Sequence, residues 1–232
     1  MKKYGIYLSY CLVILGFLLS VFAGNRAVTV MSETGPIPRK VTLVLDAGHG
    51  DPDGGATSCT GKLESEFNLE ITRRLEDLFH LLGYETKILR ATESSVYTKG
   101  ETIAQKKVSD LRQRVQTVNE TENGLLLSIH QNNFTDSRYS GAQVFYAPEE
   151  NSQTLARELQ SAFVAHLNPG SNRKSKAARG IYLMEHIQCP GILIECGFLS
   201  NPAEEAKLRT PEYQKQLVCV IAVTVSTFLS NT

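Results

Sequence analysis

The chain has 232 residues, 42% hydrophobic and 21% charged, a balance that supports one packed domain with a short appendage and excludes a disordered chain. Its 24 basic residues match 24 acidic ones, for a formal net charge of zero. Neutrality removes the electrostatic reason to expect nucleic acid as a partner, because that binding leans on excess lysine and arginine.

The first residues differ from the rest. Behind Lys2 and Lys3, Tyr4 to Asn25 is an uncharged run of 22 residues, which as a helix reaches about 30 Å, the thickness of a bilayer core. The leading lysines keep the N-terminus cytoplasmic and send the remainder outward. Residues 1–25 are therefore either an uncleaved signal anchor or a signal peptide with Val21-Phe22-Ala23 as its cleavage site. The length of the run favours the anchor, because a cleavable signal usually carries only about 7–15 apolar residues. Residues 26–39 hold Gly35, Pro36 and Pro38 without apolar periodicity and read as a linker. Residues 40–232 form the domain. Of five cysteines, Cys11 lies in the N-terminal run. Cys59, Cys189, Cys196 and Cys219 show no CxxC spacing and are expected to be small buried hydrophobes, with one or two disulfides open in an oxidising compartment.

Within the domain, strand and helix signals alternate. Val41–Leu45 is a β-branched run ending in Asp46, Gly48 and Gly50. Phe67, Ile71, Leu75, Leu78, Phe79 and Leu82 follow at helical spacing, with Gly83 where a C-terminal cap belongs. Thr86–Leu89 predicts a second strand. Val108, Leu111, Val115 and Val118 predict a helix, and Leu125–Ile129 another strand. Ala142–Tyr146 predicts a strand ahead of a helix carrying Leu155, Leu159, Phe163 and Leu167. A strand is expected at Ile181 and a short buried one at Gly191–Ile194. Thr210-Pro211 starts a final apolar helix running to Leu229. The alternation predicts an α/β fold: a single domain with a central, mostly parallel sheet flanked by helices.

Three of these strands lead into side chains with chemical potential: His49 in LDAGHGDPDGGA, His130 in LLSIHQNN and Glu195 in LIECGFLSN. Ligands of open α/β sheets gather at the carboxyl ends of strands, and Glu64 opens the helix that follows the first of them. Two histidines and one carboxylate suit a catalytic zinc site, since three protein ligands leave a position for water. The separations of 15, 66 and 65 residues match no short zinc signature, so the spacing leaves a structural role for either histidine open. His80, His166 and His186 read as structural. Arg173, Lys174, Lys176 and Arg179 form a basic loop, a solvated face or, through Arg179, a contact for peptide carboxylates. The glycines after Asp46 lack the Gly-Lys-Ser/Thr of a phosphate loop.

The strings LDAGHGDPDGGA, GKLESEFNLEI, SIHQNN and ILIECGFLSNPAE, in this order, resemble the zinc-dependent N-acetylmuramoyl-L-alanine amidase family of the amidase-3 type, from Val41 to beyond Leu217. The resemblance implies one Zn²⁺ ion held by His49, Glu64 and His130, with Glu195 as catalytic acid/base. It selects Glu64 over Glu66, because Asn68 and Leu69 follow at the required offsets; the residue after the glutamate, often basic in the family, is Ser65. Substrate-binding residues are not specified by it. The implied reaction is hydrolysis of the amide between N-acetylmuramic acid and the L-alanine of the peptidoglycan stem peptide. The short chain, the apolar N-terminus and the run SGAQVFY at Ser140–Tyr146 resemble the germination-specific spore-cortex type, which acts on the way to muramic δ-lactam. The expected location is the cell envelope outside the cytoplasm, in the spore, with the membrane met through the N-terminal segment and an activating protein partner left open. A zinc peptidase acting on wall peptides and a catalytically dead, membrane-anchored wall-binding scaffold are the alternatives. The joint presence of His49, Glu64, His130 and Glu195 argues against the second.

Overall fold

The computed structural model describes residues 41–232; the signal segment 1–25 and the linker 26–39 lie outside the described residues. Among those residues, no helix is long and apolar enough to cross a membrane.

In chain order the elements are β1 (Thr42–Ala47), α1 (Glu64–Leu81), β2 (Glu85–Ile88), α2 (Ile103–Asn119), β3 (Gly124–Asn132), β4 (Gln143–Tyr146), α3 (Glu150–His166), β5 (Lys176–Ala177), α4 (Tyr182–His186), β6 (Gly191–Phe198), α5 (Pro202–Leu208) and α6 (Pro211–Ser230). The strands form one sheet in the order β2-β1-β3-β6-β4-β5. Only the β4–β6 pairing is antiparallel. The mostly parallel α/β domain expected from the alternation is the fold observed.

Side-chain alternation along the strands divides the core. Leu43 and Leu45 of β1, Leu125, Leu127 and Ile129 of β3, and Ile192, Ile194 and Cys196 of β6 belong to a large cluster with α1, α3 and α6. Val44, Leu126 and Leu193 point the other way, into a smaller cluster with Val118 of α2 and Leu183 and Met184 of α4. The same alternation puts Asp46, Ser128, His130 and Glu195 on the thinly covered face, at the carboxyl ends of three neighbouring strands.

Helix α1 forms because Phe67, Ile71, Leu75 and Phe79 recur every fourth residue and all are fully buried. Together they contribute roughly 6–12 kcal/mol of burial. Gly83 stops the helix: at φ +83° it donates to the His80 carbonyl while Tyr84 donates to that of Phe79, the two bonds of a Schellman cap. Helix α6 starts as expected, with the Thr210 hydroxyl accepting from Tyr213 N–H at 3.2 Å.

Several sequence expectations need correction. No strand forms at Ile181, which instead precedes the short helix α4; the strand of that region is β5, five residues earlier. Strands β3 and β6 run past their apolar segments, so His130 and Glu195 sit within strands rather than after them. Polar side chains are tolerated there because ladder bonding to neighbouring strands continues beyond the apolar core. Val108 is half exposed, in the N-terminal part of α2 where nearly every side chain faces solvent. Of the four cysteines in the domain only Cys196 is buried; Cys59 and Cys219 are exposed, and all four are free.

Candidate metal centre

Four elements deliver the central side chains. The turn after β1 carries His49, the first residue of α1 is Glu64, β3 carries His130 and β6 carries Glu195. His130 and Glu195 are register partners across the β3–β6 ladder, which makes them neighbours on one face although 65 residues separate them in sequence. Glu64 opens α1, which packs in the large cluster on the other face, and its carboxylate meets β3 through the Gln131 N–H.

Ligand-capable atoms of His49, Glu64 and His130 lie within 4.8 Å of one another, a group that can hold a metal ion. Glu64 Oε2 is 3.3 Å from His49 Nε2 and Oε1 is 3.0 Å from His130 Nδ1. The imidazoles meet edge to face with centroids 5.0 Å apart. Two glycines make the cluster possible. A Cβ on Gly48 would stand 2.2 Å from the His130 ring. One on Gly55, already at φ +69°, would stand 2.6 Å from Glu64 Oε2.

A second layer of contacts fixes these groups. Asp53 Oδ2 accepts from His49 Nδ1 at 3.0 Å and is itself paired with Lys107 at 2.9 Å. The Glu64 carboxylate accepts from Ala56 N–H at 3.0 Å, Gln131 N–H at 3.1 Å and Asn68 Nδ2 at 3.3 Å. His49 itself adopts φ +61°, a left-handed conformation that costs a non-glycine residue about 1–3 kcal/mol. Two buried arginines hold that turn. Arg114 donates to the Ala47 and His49 carbonyls at 2.9 and 2.6 Å, and Arg90 to those of Ala47, Gly48 and Ser65. Asp46 neutralises Arg114 and accepts from Ser128 Oγ at 2.6 Å. Asp110 completes the Arg114 ion pair at 2.8 Å.

The electrostatics follow from this packing. Burial opposes a charge on His49, but Asp53 and Glu64 outweigh it and raise its pKa to about 9. Burial likewise works against an ionised Glu64, yet bonding to both histidines holds its carboxyl far below the usual range. His49, with a carboxylate at each ring nitrogen, favours a bound cation there, whether proton or metal. Glu195 is different. Burial is the main cause of a pKa raised to about 7, with His130 and His49 opposing the rise and Glu64 adding to it. Its Oε2 is buried and has no hydrogen-bond partner.

Beside the histidines lies a pocket of about 230 Å³, walled by Lys107, Leu111 and the Gly180–Leu183 segment.

The chain matches the model of the N-acetylmuramoyl-L-alanine amidase family, amidase-3 type, over residues 43–227. It belongs to that family. Among curated members of the family, the germination-specific N-acetylmuramoyl-L-alanine amidase of Bacillus subtilis is 38% identical over 189 residues, covering 80% of this chain and 78% of the relative. The structure of the CwlD amidase from Clostridioides difficile, in complex with the GerS lipoprotein, superimposes with a TM-score of 0.79 at 33% identity, over 83% of this chain and all of that one. A second amidase, from Clostridium difficile 630, gives a TM-score of 0.70 at 27% identity, over 82% of this chain and 97% of that one. The family resemblance carried by the four sequence motifs is thereby borne out.

The remaining sequence candidates fall outside the cluster. Glu66 turns back to accept from Leu63 N–H at 2.8 Å, capping α1 rather than facing the histidines. His80 bonds Thr86, His186 bonds the Tyr182 carbonyl, and His166 is exposed at the end of α3. Arg179 is exposed next to the Gly180 wall of the pocket. Sequence reasoning missed Asp53, although a carboxylate four residues after a candidate ligand histidine is a recognisable orienting partner. It also missed Arg90 and Arg114, for which an ordinary arginine in a polar stretch offers no signal.

Proposed function

We propose that this chain hydrolyses the amide bond between N-acetylmuramic acid and the L-alanine of the peptidoglycan stem peptide, using one zinc ion held by His49, Glu64 and His130, with Glu195 as the acid/base. The observation that carries the reading is the convergence of a two-histidine, one-carboxylate cluster on a neighbouring glutamate with a buried, unpartnered oxygen, in a chain of the amidase family. The donor set fits zinc: two imidazoles and one carboxylate leave a coordination position open, and Asp53 orients His49 as orienting carboxylates usually do. When bound, such an ion lowers the pKa of a water molecule toward about 7 and polarises a carbonyl.

Glu195 supplies the proton movements. Its carboxylate takes the proton of the attacking water and returns it to the alanine nitrogen as the C–N bond breaks. The products are the free lactyl carboxyl on the glycan and a peptide with an amino terminus. Asn68, the Gln131 and Ala56 amides, and Asp53 hold the ligand side chains in place. The two arginines keep His49 in its left-handed turn.

A wall substrate sets the action outside the cytoplasm. The likeness to the germination-specific relative supports spore cortex as the particular wall, and the lipoprotein bound in the CwlD structure supports a protein partner. Membrane attachment through residues 1–25 rests on their uncharged run. Fractionation of the full chain with membranes is expected, whereas a mature N-terminus at Gly24 would mean cleavage instead.

The deciding experiment is a digest of purified cortex peptidoglycan with zinc present or chelated, read by mass. Release of stem peptides with free alanine amines from intact glycan supports the proposal. Shortened peptides still joined to muramic acid would make the protein a peptidase, and no product under either condition a scaffold.

A further inference from the structure

A second cavity, of about 960 Å³, opens at the β4–β5 side of the same sheet end, and its walls gather charge from three separate parts of the chain. Arg173, Lys174 and Lys176 enter from the loop before and into β5, Lys207 from α5, and Arg138 from the loop after β3. Arg138 is neutralised by Asp136 at 2.7 Å. The other four make no ion pair among the described residues. The carboxylate in the wall, Glu204, is committed to the backbone amides of Gly141 and Phe198 at 2.8 and 2.9 Å. A net positive cavity remains.

Two observations separate this cluster from an ordinary solvated face. Arg173 is held in place: Nε donates to the Ser140 carbonyl at 2.9 Å, Nη1 to Gln143 Oε1 at 3.3 Å, and its guanidinium lies 4.9 Å from the centroid of Phe198. Those neighbours also tie the cavity to Glu195, because Gln143 is the register partner of Glu195 across the β4–β6 ladder and Phe198 lies three residues further along β6. Lys176 begins β5, two strands from β6, which at ordinary strand spacing is roughly 10 Å away. An extended peptide covers that distance in about three residues.

We infer that this cavity is the subsite for the stem peptide on the far side of the scissile amide, and that it binds the carboxylates carried by the peptide beyond its first alanine. The inference rests on the amidase reading and gives its substrate a direction, from Glu195 towards β5. Fixed Arg173 receives one carboxylate, and Lys174, Lys176 and Lys207 stabilise the others as mobile point charges.

The test compares two muramoyl peptides identical except that the peptide carboxylates of one are amidated. The wild-type chain with zinc cleaves the free-acid substrate about tenfold more efficiently, the worth of two or three exposed ion pairs. In Lys174→Gln/Lys176→Gln that preference shrinks towards parity through a higher KM for the free acid, with kcat little changed. Lys99→Gln/Lys215→Gln, which removes the same charge elsewhere on the surface, retains the wild-type preference. Equal cleavage of both substrates by the wild type overturns the inference while leaving the amidase reading intact, as does an equal loss of preference in the control. Failure to cleave either substrate overturns both.

Discussion

Replacing Glu195 by glutamine keeps the side chain's size and hydrogen-bonding capacity and removes its ability to exchange a proton. Turnover should fall by roughly 10²–10⁴, the usual worth of a positioned acid/base group, while zinc stays near stoichiometric because the metal-capable cluster does not include this residue. The same substitution has a signature in chelated protein. Burial raises the Glu195 pKa from 4.5 to about 7, so the folded state binds this proton more tightly than the unfolded chain. The stabilisation from that proton is full below pH 4.5 and is lost as pH rises through about 7. The wild type therefore loses about 1 kcal/mol from this source by pH 5 and about 3 kcal/mol by pH 8, and the glutamine variant loses none. Urea unfolding in chelator should show the variant gaining about 2 kcal/mol on the wild type between those pH values. A variant that loses its zinc would make Glu195 a ligand, and a stability gap that does not widen with pH would refute the buried-carboxyl reasoning.

Glu66→Ala serves as the register control: zinc content and activity should match wild type, with a stability loss of about 0.5–1 kcal/mol from the missing cap, measurable by thermal unfolding. In Glu64→Ala, by contrast, zinc and activity should disappear together by elemental analysis and peptide release. Zinc affinity should weaken as pH falls, because the metal must displace the proton that Asp53 and Glu64 hold on His49 up to about pH 9. Titration in zinc buffers should show up to about a tenfold change per pH unit from that proton alone, and a flat profile between pH 6 and 8 would contradict it. Arg114→Met strands the buried Asp46 carboxylate and releases the His49 turn. It should cost about 3–5 kcal/mol in denaturant unfolding, and a neutral result would remove Arg114 from the account.

Much of this protein is legible in its sequence for local reasons. The four-residue recurrence of Phe67, Ile71, Leu75 and Phe79 dictates a helix with one buried stripe, and Gly83 and Thr210-Pro211 mark ends through backbone geometry alone. Four motifs in order carried the family, and with it the nomination of His49, Glu64, His130 and Glu195. Spacing could not assemble them, because the sheet order puts β3 between β1 and β6, a non-local fact absent from any short window. Tertiary structure decided the rest. Strand pairing set His130 beside Glu195, and the start of α1 brought Glu64 to the two histidines while turning Glu66 away into a cap. Arg90 and Arg114 were drawn from polar stretches into full burial around one strained turn. The basic residues of the β5 loop gained meaning only when folding set Lys207 across the cavity and fixed Arg173 on Phe198. Such arrangements depend on which distant backbones approach, and a side chain's identity records nothing of that until packing and electrostatics bring the partners together.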